Sequence, residues 1–91
     1  MKTEINLPYV IVTWCDAHAV TDTWTGIDEL DDEECLVESI GMLLEGAKSG
    51  HIVLAQSMIL GEETVDNVLA IPEGMVRVIH RVSCGDRLSL P

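Results

Sequence analysis

Two short spacings bring together residues that could bind a metal: Cys15-x-x-His18 and His80-x-x-x-Cys84. Two thiolates and two imidazoles are a set that zinc holds as a tetrahedron. Neither half carries the knuckle glycines of a zinc turn, and positions three apart on a strand point to opposite faces. Buried thiols and scattered histidines are the simpler reading, and no metal or other cofactor is expected. Asp16, His51 and Ser57 contain the atoms of a nucleophilic triad, but no tight glycine turn presents Ser57. Phosphate-loop and dinucleotide fingerprints do not occur. The carboxylates fall in one run rather than as a facing pair, which is the pattern of a solvated surface. The chain does not read as an enzyme.

Binding is better supplied. Trp14 and Trp24 could stack on a flat base, a contact worth about 1–3 kcal/mol. Arg77 and Arg81 lie on one face of a predicted strand and could grip phosphate oxygens through their forked guanidinium groups. Asp16 could accept a hydrogen bond from a ribose hydroxyl or a base edge. Gln56 and Ser57 are polar positions in an otherwise apolar stretch. The predicted ligand-binding set is therefore Trp14, Asp16, Trp24, Gln56, Ser57, Arg77 and Arg81. Each has a plainer role beside this one. Trp14 suits a core, Trp24 a loop anchor, the arginines a pairing with nearby carboxylates, and Gln56 and Ser57 a backbone bend.

Composition narrows the partners. Sixteen acidic and five basic side chains give a net charge of −11. Such a surface repels phosphate backbones and anionic membranes, so neither nucleic acid nor a bilayer is an expected partner. Seven carboxylates between Asp28 and Glu38 could instead occupy a basic groove on another protein. Three cysteines, an odd number, follow a polar N-terminus, and no apolar run approaches the roughly 20 residues that span a bilayer. Free thiols in a reducing cytoplasm fit that pattern.

Ninety-one residues make a single domain over 1–91, with its core in about 9–82 and a tail from 83 to 91. A chain of this length buries only about 60–65% of its unfolded surface, so the core is thin and subunit contact is the expected supplement. Tyr9, Trp14 and Trp24 are the only aromatic rings of the Phe, Tyr and Trp kinds, so Val, Ile, Leu, Met and Ala must build the core.

Five segments must position these residues. Tyr9 to Ala17 alternates as a strand, with Val10, Val12 and Trp14 on one face. Residues 18–34 form a long loop that has room for one short helical turn within 22–34. Residues 35–47 are ambiguous. Their apolar spacing slightly favours a helix, whereas Gly41 would cost about 1 kcal/mol in one and suits a bent strand; a strand is predicted. Lys48-Ser49-Gly50 turns the chain into a strand over 51–59, with few polar residues and hence both faces covered. Gly61-Glu62-Glu63 turns it again into a strand over 65–71. A fifth strand spans 75–82, with Val76, Val78, His80 and Val82 on one face. The expected fold is mainly β: a small, strongly bent, five-stranded antiparallel barrel.

The chain carries, in order, Val12-Thr13-Trp14-Cys15-Asp16-Ala17, a loop with Trp24, Glu38-Ser39-Ile40-Gly41, Ile52-Val53-Leu54-Ala55-Gln56-Ser57 and Ile71-Pro72-Glu73-Gly74-Met75-Val76. This order of motifs resembles a small family of phage-encoded accessory proteins, mostly of unassigned function. The resemblance spans about residues 9 to 82. The layout is also similar to Sm-like and SH3-like barrels, a likeness of architecture alone. The phage resemblance implies a counter-defence role in the cytoplasm of an infected host. Two forms are expected: a homo-oligomeric sponge for a nucleotide-like immune signal, or an acidic inhibitor or adapter that blocks a basic surface of a host protein.

Overall fold

The computed structural model describes residues 7–17, 23–30, 33–83, 85 and 88. Five strands form one antiparallel sheet: β1 Tyr9–Asp16, β2 Cys35–Leu43, β3 His51–Met58, β4 Val65–Pro72 and β5 Val76–Val82. The order across the sheet is β4-β3-β2-β1-β5. The chain is mainly β, as expected, and its described helical residues are two single 3-10 turns, Ile27–Glu29 and Glu73–Met75. The first falls in the loop where a helical turn was expected. No helix among the described residues is long and apolar enough to cross a membrane. The expected 83–91 tail lies almost wholly outside the described residues.

Residues 35–43 are a strand, and Gly41 shows why. It takes ordinary extended geometry, so conformational freedom is not its use. A Cβ at this position would meet the Ala55 carbonyl oxygen at 2.9 Å and the Leu54 Cβ at 3.3 Å. Glycine therefore lets the two backbones approach more closely than a side chain would allow. β2 ends at Leu43, four residues before the predicted boundary. Beyond it, Gly46 and Gly50 take φ of 71° and 70°, turning the chain toward β3.

Pairing along the sheet is uneven. β1 pairs with β2 over its whole length, from Tyr9–Met42 to Asp16–Cys35. β3 pairs with β4 from His51–Pro72 to Met58–Val65. Between these two ladders, β2 and β3 share only the pairs Met42–Ala55 and Leu43–Leu54, extended by Leu44 N–H donating to the Val53 carbonyl at 2.9 Å. The sheet is thus two broad panels joined at a narrow seam beside Gly41. That seam makes the predicted bend. β4 and β5 remain the two edges, so the ladder is not closed into a full ring.

The core lies between the panels. Val10 and Val12 from β1 meet Leu54 from β3 and Ile71 from β4; Trp14, Leu43, Ile52, Met75 and Val76 pack around them. Val12 is wholly buried. The predicted face Val10, Val12 and Trp14 is the one turned inward. In β3, Val53, Leu54 and Ala55 are all buried, so both of its faces are covered at the seam, as its composition suggested.

The face predicted for β5 divides. Its register against β1 shifts between Thr13 and Trp14: Thr13 pairs with Val78, but Trp14 pairs with Val76. Cross-strand partners share a face, so Val76 joins Trp14 on the core side. Val78, His80 and Val82 stand opposite Thr13, Ile11 and Tyr9 on the outer side. A bulge inserts one unpaired residue and reverses the alternation beyond it. Here that residue is Arg77. Uniform alternation was the assumption that failed.

Candidate functional site

One end of the β2-β1-β5 panel gathers most of the chain's chemical variety. Trp14, Cys15 and Asp16 close β1. Cys35 opens β2 opposite Asp16, and Leu36 lies opposite Cys15. The long loop leaves beside Asp16 and returns through Glu34, so both of its ends border this corner.

Trp14 is half-buried, its ring against the core. Its indole N–H donates to the Ser39 hydroxyl at 3.0 Å. Ser39 pairs with Val12, two residues along β1 from Trp14, so both sit on the inner face. The structure supports the core role for Trp14, with its one polar atom satisfied inside the sheet.

Arg77 is anchored by the bulge. Its Nη2 donates to Glu34 Oε1 at 2.9 Å, and its Nη1 donates to the Met75 carbonyl at 3.4 Å. The hydrogen bond to Glu34 and that carboxylate's charge raise the guanidinium's already high pKa, with a small contribution from nearby Cys15. Arg77 therefore stays cationic at any pH the fold meets. The ion pair is about half exposed, and a guanidinium has five N–H donors in all. Donors remain for a second acceptor. The carboxylate pairing foreseen for the arginines is realised at Arg77. Arg81 is exposed opposite Val10 and pairs with no described carboxylate.

The other predicted ligand residues scatter. Trp24 stands fully in solvent at 103% of its reference exposure. Gln56 and Ser57 are exposed on β3 beyond the last β2–β3 pair, where the strand has left the panel holding Trp14. Ser57 faces Asp66 across the β3–β4 ladder, and the bridge at Gln56 is missing. There Asn67 holds a left-handed φ of 53°, with its N–H bonded to the Asp66 carboxylate at 2.8 Å. Sequence reading missed Asn67. Its signal was a turn-favouring residue in the middle of an apolar strand. The fold thus brings together Trp14, Asp16 and Arg77, with Arg81 further along β5, and leaves Gln56 and Ser57 elsewhere.

The weak catalytic candidates do not converge. His51 and Ser57 sit near opposite ends of β3, about 20 Å apart at strand rise. His51 Nδ1 is bonded to the Ser49 carbonyl at 2.8 Å. Asp16 ends a different strand. Among the described residues, no three His, Cys, Asp or Glu side chains cluster as metal ligands. His18 and Cys84, half of the candidate zinc set, lie outside the described residues. Cys15 and Cys35 are free thiols. Being offset by one in the ladder, they point to opposite faces.

Comparison with protein-family models, with characterised proteins and with solved structures found no match for this chain.

Proposed function

We propose that this chain is a non-enzymatic binding protein that sequesters a nucleotide-like ligand as a homo-oligomer, and that it serves phage counter-defence in the host cytoplasm. The observation that carries the reading is the Trp24 ring, held wholly in solvent on a loop whose two ends border Trp14, Asp16 and Arg77. A bare indole on a loop that ends beside a cationic fork suits a guest with a flat face and an anionic end. Arg77 supplies the fork and Trp24 the flat surface; Asp16 offers an acceptor for a hydroxyl. Glu34 holds the guanidinium in place and must share it when an anion arrives.

The acidic reading has its own support. Asp28, Glu29 and Glu33 are exposed in the same loop, and they suit a basic surface on a host protein. One experiment separates the two. A panel of cyclic and linear nucleotides is added to the purified protein, and melting temperature and ligand mass are read. A rise in melting temperature, with the nucleotide recovered intact after denaturation, is the expected result. Trp24→Ala and Arg77→Ala should each weaken binding by about tenfold, a loss of about 1.4 kcal/mol, while leaving the fold unchanged. Unweakened binding by both variants would remove this site. A cleaved product would make the protein a hydrolase. Absence of any shift, with a host protein captured through Asp28, Glu29 and Glu33, would favour the inhibitor.

A further inference from the structure

The outer side of the sheet carries apolar residues where a small soluble domain would carry polar ones. Reading across the register, one row runs Val68, Ala55, Met42, Tyr9 and Val82, from β4 to β5, without a polar member; Ala55 and Met42 are already buried at the seam, and Val68, Tyr9 and Val82 are its exposed members. The next row is Ile40, Ile11 and His80, and the third is Glu38, Thr13 and Val78. Ile40 is 68% exposed, Leu36 56% and Tyr9 47%; Val78 and Val82 are exposed too. Together these five side chains present on the order of 500 Å² of apolar surface, near the upper end of the largest patch a monomer shows.

We infer that this outer face is covered by the same face of a second copy, in a twofold-symmetric dimer. Two such patches bury about 1,000 Å² together, which is the least that a specific interface clears. The face also matches itself. A twofold axis along β1 sets β2 of one copy over β5 of the other. Glu38, on the β2 flank, then lies over the other copy's Val78, one row along the β5 flank from its His80. The inference supplies the contact that the homo-oligomeric reading requires, but it rests on the exposed rows and not on the ligand site.

Sedimentation equilibrium without any ligand tests it. The protein should run at twice its chain mass in the micromolar range. Ile40→Lys should weaken association by at least about tenfold, and Leu36→Lys, elsewhere on the face, gives a second reading should the first variant lose its circular dichroism. Leu60→Lys, at a fully exposed turn position away from the rows, should leave the mass unchanged. Raising the salt should tighten the dimer, because two copies of charge −11 repel and salt screens that repulsion. A monomer throughout the range overturns the inference. So does a dimer that Ile40→Lys and Leu36→Lys leave intact, or one that salt dissociates, as an acidic chain on a basic partner would. Nucleotide binding by a chain shown to be monomeric would remove the dimer and leave the ligand site standing.

Discussion

Trp14 divides its side chain between two environments. The ring lies against Val10, Val12 and their neighbours, and the single N–H is bonded to Ser39 across the ladder. A half-buried N–H left without an acceptor costs about 1–3 kcal/mol. Ser39→Ala should therefore lower stability by about 1 kcal/mol, read from urea unfolding. Trp14→Phe, which removes donor and excess ring together, should cost more through lost packing. Equal stability of Ser39→Ala and the parent would mean that water replaces the hydroxyl. Arg77 differs in kind. Its partner Glu34 is on the surface, and exposed ion pairs add little to stability, so Arg77→Ala belongs to the binding assay rather than to the stability assay.

At the scale of the elements, the seam decides the shape. Gly41→Ala places a methyl carbon 2.9 Å from a backbone carbonyl oxygen, which must move β2 away from β3. A cost of about 1–3 kcal/mol is expected, as for overpacking a close contact, with the melting temperature as readout. A variant as stable as the parent would show that the seam can widen freely. The same glycine was the strongest sign in the sequence that residues 35–43 are not helical: periodicity pointed one way and Gly41 the other. All five strands were legible because β-branched residues alternate and glycines separate the segments. The site was legible in part. Trp14, Asp16 and Arg77 converge because β1 and β5 are neighbours, a fact that strand periodicity does not carry. Gln56 and Ser57 were grouped with them for their polarity, and the register put them on the other panel. The bulge at Arg77 and the left-handed Asn67 escaped detection for a shared reason. Each is set by pairing between strands distant in sequence, not by local preference.

At the scale of the molecule, burial is scarce. Val10, Val12, Met42, Val53, Leu54, Ala55 and Ile71 are the buried apolar side chains among the described residues, which is little for one chain to stand on alone. The proposed outer-face dimer would add to that core without new secondary structure. Stability should then depend on protein concentration, with the melting temperature rising as the solution is made more concentrated.

The uneven ladder also sets an order of assembly. β3 and β4 are joined by a short turn through Gly61, whose φ is 79°, and a hairpin of that kind closes within about 1–10 μs. Pairing Tyr9 with Val82 must instead draw together the two ends of the strand array, at a far larger entropic cost. Folding should therefore start at the β3–β4 hairpin and finish when β5 reaches β1. Gly61→Ala should slow refolding in a stopped-flow chevron, whereas Val82→Ala should chiefly speed unfolding. The last strand to arrive would be the first to leave, and β5 carries Arg77. Loss of the guanidinium from its corner would then precede loss of the core as the protein is heated.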